Sequence, residues 1–132
     1  MLQNVTLLGI CAIAIGAVPG ALSRYYVTHW CHRVFGNKFP MGTFIINISG
    51  CLLMGFIVTL ISQMKGFPTE ARLMLTTGFL GAYTTFSTYG FDTLRLWGSG
   101  NIRATIFYWG GSAILGVIAL QIGVILALCV FP

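Results

Sequence analysis

Charge is what this sequence has least of. Only 7% of its 132 residues are charged, and the acids are just Glu70 and Asp92 against seven lysines and arginines. A soluble domain of this length needs several times more charge on its surface, so an ordinary soluble fold is excluded. Hydrophobic residues make up 57% and the mean hydropathy is +0.90, which is the composition of an integral membrane protein. In that setting an excess of basic residues acts as a membrane-topology device. No compact basic cluster interleaved with polar residues occurs, so nucleic acid is excluded as a partner. Among the four cysteines there is no CxxC pair. Cys11, Cys51 and Cys129 sit in apolar runs as small hydrophobes. Cys31, between His29 and His32, reads as part of a polar loop at a helix end, since no metal-ligand spacing supports it. The Asn4-Val5-Thr6 sequon reads as accidental. A basic residue before the first apolar run is also missing, and Arg24 follows that run. That order does not fit a cleaved signal peptide.

Long apolar runs are what is there. They extend from about Val5 to Leu22, Met41 to Ser62, Leu73 to Trp97 and Ala104 to Phe131. Each approaches or exceeds the roughly 20 residues a helix needs to cross the hydrocarbon. The first is expected to continue past Pro19-Gly20 toward Trp30. Short connections hold nearly all the charge, and no repeat or low-complexity tract appears, so residues 1–132 are expected to form a single four-helix membrane domain. Gly16 with Gly20 and Ser112 with Gly116 have the four-residue spacing that lets helices approach closely in lipid, and Gly50 and Gly55 mark a further small-residue strip.

The third run is unlike the others. Its segment GFLGAYTTFSTYGFDT, residues 78–93, carries three glycines, four threonines, a serine and an aspartate. As one continuous helix, Gly78, Gly81, Thr84, Thr85, Ser87, Thr88 and Gly90 would spread small or polar groups around its whole circumference. Single hydroxyls can be absorbed by a helix's own carbonyls, but this density predicts a broken helix. At membrane depth, freed carbonyls attract cations and freed amides attract anions.

This stretch resembles the GFxGxxTTFSTF signature of the Fluc (CrcB) fluoride channels. Gly20-Ala21-Leu22-Ser23-Arg24 resembles that family's GAxxR, and Gly42-Thr43-Phe44-Ile45-Ile46-Asn47 its GTxxxN. The three motifs occur in the family's order and span nearly the whole chain. The resemblance implies an all-α integral membrane fold of four transmembrane helices per subunit, the third broken, assembled as an antiparallel, dual-topology dimer in the bacterial plasma (inner) membrane. It implies a passive, non-enzymatic channel that exports fluoride through two pores. It also implies a central structural Na+ held by the backbone carbonyls of Gly81 and Thr84. Phe86, Tyr89 and Asn47 would edge each fluoride path. Tyr108 and Ser112 match its pore-lining Tyr and Ser, and Asp92 stands where many members have glutamate. Tyr89 departs from the signature's second phenylalanine. Its hydroxyl would serve fluoride as a donor, narrow the path, or mark one half of a heterodimer.

The residue chemistry fits a small, tightly hydrated anion, whose water must be replaced by donors. Asn47 offers two N–H donors without charge, with Thr43 one turn before it on the same face. An interhelical hydrogen bond is the alternative use of that amide. Phe86 and Tyr89, three apart, share a face and can present electropositive ring edges, with Thr85, Ser87 and Thr88 supplying hydroxyls in the same turn. Tyr108 and Ser112 share a face with Gly116, as pore lining or as helix-joining hydrogen bonders. Asp92 should be paired, protonated or away from the narrowest part, and Arg95 stands three residues on. Arg24 is either a vestibule charge or a snorkelling arginine. Two rival functions stand beside the channel. A small dual-topology multidrug-type transporter would need an acid in its first helix, and none precedes Glu70. A non-transporting assembly subunit would need no broken polar helix.

Overall fold

The computed structural model describes residues 6–130; the sequon's Asn4 and Val5 and the last residue of the fourth apolar run lie outside them. The described residues form helices with no strand among them. The first helix, α1 (Leu7–Phe35), opens where the Thr6 hydroxyl accepts from the Gly9 amide at 3.2 Å. It passes through Pro19 and stops at Gly36, whose φ of +72° lies in the left-handed region that favours glycine. The polar loop expected around Cys31 is therefore helix. His29, Cys31 and His32 belong to the last turns of α1, and Cys31 is fully buried. The physical reason is that nothing between Arg24 and Phe35 breaks a helix, so polarity there marks a face and not a chain break.

Helix α2 (Met41–Gln63) coincides with the second apolar run to within one residue, and α6 (Ile102–Val130) with the described part of the fourth to within two. Together with α1 these are the three described helices long and apolar enough to cross a membrane. Their hydropathy runs all round, as a helix in lipid requires, and large side chains such as Leu7, Ile15 and Val117 stand exposed. The chain is an all-helical membrane protein.

The third run is not one helix. It begins at Thr69, earlier than hydropathy suggests, with α3 (Thr69–Leu73). A π-helical stretch, Met74–Leu80, and the single turn α4 (Gly81–Tyr83) follow. Thr84 and Thr85 then run extended, with ψ of 158° and 115°, before α5 (Phe86–Gly98) resumes. Neither half has the length of a complete span. Helices α2 and α6 pack along most of their length, while α1 lies against the π-helical stretch. That second approach depends on glycine: a Cβ at Gly16 would overlap the Met74 carbonyl oxygen, and one at Gly20 the Phe79 carbonyl oxygen. Close helix contact through small residues thus holds the first half of the broken segment in place.

Candidate functional site: a broken helix between two cavities

A helix continuing through residue 85 would bond the Thr85 amide to the Gly81 carbonyl. Here that amide donates instead to Asn47 Oδ1 at 2.9 Å, while Asn47 Nδ2 donates to the Thr85 carbonyl at 3.1 Å. The side-chain amide of α2 therefore pairs with both backbone groups of one residue in the break. The Thr88 amide would likewise reach the Thr84 carbonyl, but donates to Thr85 Oγ1 at 3.3 Å, so Thr85 is the N-cap of α5. These two diversions release the Gly81 and Thr84 carbonyls from their helical partners. The end of the first half closes on itself, since both the amide and the hydroxyl of Thr84 donate to the Leu80 carbonyl at 3.0 Å. Gly50 of α2 makes room for this turn, because a Cβ there would overlap Thr84 Cγ2.

Two cavities flank the break and share Thr85. The first, of about 340 Å³, is lined by Asn47, Thr84, Thr85, Phe86, Tyr89 and Ser112, with Cys51 and Met54 on its α2 wall. Its character is mostly apolar with a few donors. Asn47 keeps one N–H beyond the one given to Thr85. Ser112 is 9% exposed and its hydroxyl has no hydrogen-bond partner, an unsatisfied donor on the wall of an otherwise apolar chamber. The second cavity, of about 590 Å³, is a vestibule between α1 and the start of α5, more polar than the first. Arg24, Thr28, Thr43, Ser87 and Thr88 line it, and Tyr25, His29 and His32 stand in its α1 wall.

The aromatic pair behaves as the three-residue spacing implies: the Phe86 and Tyr89 ring centroids are 5.6 Å apart. Phe86 is 83% exposed and has almost no cover within the chain, whereas Tyr89 also meets Tyr108 at 5.5 Å. The Tyr89 hydroxyl, the group that distinguishes it from phenylalanine, donates to the Trp109 carbonyl of α6 at 2.7 Å. Its proton is thus directed at the neighbouring helix.

Tyr108, Asp92 and Gly81 line neither cavity. Asp92 is 7% exposed and its Oδ2 accepts from Thr43 Oγ1 at 2.8 Å and from the fully buried Tyr108 hydroxyl at 3.4 Å. Arg95 Nη2 stands 3.3 Å from Oδ1. The buried carboxylate is therefore surrounded by donors from α2, α5 and α6, as a charge away from water must be. The expected Asp92–Arg95 pair exists, and Thr43 joins it through its hydroxyl while also lining the second cavity. The lining by Cys51, Met54, His29 and His32 went unread in the sequence. For Cys51 and Met54 a signal existed, since they follow Asn47 by four and seven residues on one face of α2.

Comparisons with known proteins give the family. The family described as "CrcB-like protein, Camphor Resistance (CrcB)" matches residues 11–124. The chain belongs to the CrcB family. A relative from Trichormus variabilis named "Fluoride-specific ion channel FluC" is 53% identical over 127 residues, covering 96% of this chain and 93% of its own. One of the same name from Synechococcus sp. is 46% identical over 116 residues, with 88% and 89% covered. Another, from Chloroflexus aurantiacus, is 49% identical over 115 residues, with 87% and 91% covered. The family match spans every element of the break and both cavities.

Proposed function

We propose that this CrcB chain is a fluoride channel, a passive pore and not an enzyme, which lets the anion leave the cytoplasm across the bacterial inner membrane. The observation that carries this reading is the break itself. Two cavities flank it with Thr85 in both walls, one bearing Arg24 and hydroxyls, the other uncharged donors and the Phe86 and Tyr89 rings. The relatives' printed name supplies the ion.

Fluoride would gather in the vestibule beside Arg24, Ser87 and Thr88 and move past Thr85 to the free N–H of Asn47. The edges of Phe86 and Tyr89 and the Ser112 hydroxyl would replace its water without a fixed charge to trap it. Asp92 stays out of the narrow part because Thr43, Tyr108 and Arg95 hold it between helices. Residue roles along this path rest on lining, burial and hydrogen-bond capacity.

A second, inverted copy of the chain would complete the pore. Gly81, Phe86, Ser87 and Thr88 are exposed around the break, and polar backbone at membrane depth has to be covered by protein. Covering the break with a second copy would bring two sets of released carbonyls together. Those of Gly81 and Thr84 fit a hard cation such as Na+, which takes oxygen ligands and needs no acid. Bound there, Na+ would supply the positive charge that holds the two breaks together.

Fluoride efflux from liposomes holding the purified chain, read with a fluoride electrode, tests the function. Rapid, saturating efflux without matching chloride loss is expected, and no flux above protein-free vesicles would overturn it. Reporters fused to the C-terminus should signal from both sides of the membrane. A one-sided signal with lost flux would mean that an unlike partner chain is needed.

A further inference from the structure

The vestibule carries more than Arg24. His29 and His32 line the same 590 Å³ cavity, one and two turns beyond Arg24 on α1, and both side chains are exposed. His29 stacks on Tyr25, the rings parallel within 5° at 6.1 Å, which orients it along the helix. No acidic side chain lines the cavity. From α1 the charged or titratable groups facing the two imidazoles are Arg24 and Tyr25; from α2 there is only Thr43, and from the break and α5 only Thr85, Ser87 and Thr88. Arg33 and Lys38 stand at the same end of the molecule, and Asp92 reaches this region only through Thr43, already paired with Arg95. Arg24 is thus the one charged side chain that shares this lining with the two rings, and Asp92 stands one hydrogen bond behind Thr43.

We propose that His29 and His32 are the titratable anion collectors of this vestibule, so that fluoride delivery to the break rises as the pH of the facing compartment falls. The proposal rests on the channel reading above. Histidine is the side chain whose charge ordinarily changes between pH 5 and 8. Arg24 gives the vestibule a constant positive charge, and protonation of one or both imidazoles adds to it. A cleft lined by one sign of charge raises the local concentration of its counter-ion and the capture rate, by tenfold or more in favourable cases. The effect belongs to capture: half-saturating fluoride should shift while the saturated rate holds, and high salt should screen it.

The test is initial fluoride efflux from liposomes at symmetric pH 6, 7 and 8, with protein-free vesicles reporting the leak of undissociated acid. The wild-type chain should pass fluoride roughly three- to tenfold faster at pH 6 than at pH 8 when fluoride is far below saturation, and equally fast at saturation. His29→Gln with His32→Gln should flatten the profile at the low, high-pH level. His29→Arg with His32→Arg should flatten it at the high level, so either pair alone suffices if the other fails to fold. A wild-type profile that is flat, or one that survives both pairs of substitutions, would overturn the proposal while leaving the channel reading intact. Absence of wild-type flux at every pH would overturn the channel reading, and the proposal with it.

Discussion

Helix α6 and the segment at residues 69–98 both carry small and hydroxyl residues at membrane depth, yet one is continuous and the other breaks. Helix α6 contains Gly110, Gly111, Gly116 and Gly123 and stays helical from Ile102 to Val130. Its Thr105 hydroxyl returns to the Asn101 carbonyl one turn back, which satisfies the hydroxyl without interrupting the helix. Thr84 does the same with Leu80. Thr85 does not: its hydroxyl caps the next helix, and its amide and carbonyl both turn to Asn47. Glycine content alone therefore does not break a membrane helix. A break needs alternative partners for the backbone groups it frees, and here α2 and a neighbouring threonine provide them.

The strongest way to break this comparison is Asn47→Asp. It keeps the shape but sets a carboxylate against the Thr85 carbonyl and negative charge on the 340 Å³ cavity, so liposome flux should vanish while the elution position on size exclusion stays that of the wild-type chain. Wild-type efflux from this variant would remove Asn47 from the path. Next is Phe86→Ile, which fills similar volume without an electropositive edge. Flux should fall to near background with unchanged thermal stability, and normal conduction would make Phe86 a packing residue only.

Within α6 the glycines should separate by contact. A Cβ at Gly123 would overlap the Leu52 carbonyl oxygen of α2, so Gly123→Ala should destabilise by about 1–3 kcal/mol. Gly110 faces open space, so Gly110→Ala should be neutral or stabilise by up to about 1 kcal/mol, both read by thermal melts in detergent. Thr85→Ala removes the cap of α5 and should cost about 1 kcal/mol. Thr85→Ser, which keeps the hydroxyl, should recover most of that. The smallest effect is expected for Tyr89→Phe. It loses one hydrogen bond to the Trp109 carbonyl, about 1 kcal/mol at most, and should conduct within about twofold of wild type. A large loss of flux would show that this hydroxyl sets the position of the ring.

The scarcity of charge and the apolar runs determined by themselves that the chain is a helical membrane protein, and they bounded α2 and α6 closely, because lipid leaves the backbone few alternatives. Crowding of hydroxyls and glycines in residues 78–90 was enough to predict the break, and helical spacing was enough to pair Phe86 with Tyr89. Hydropathy could not show that α1 runs on to Phe35, since polar residues on one helix face look like a loop in a hydropathy profile. Nor did spacing show the π-helical stretch, against which α1 packs closely at Gly16 and Gly20. Only the tertiary structure decided where each freed group goes. Asn47 meets Thr85 across 38 residues, Thr43 meets Asp92 across 49, and the Tyr89 hydroxyl meets Trp109 across 20. Sequence periodicity orders side chains around one helix, but a hydrogen-bond partner on another helix is selected by how the helices pack.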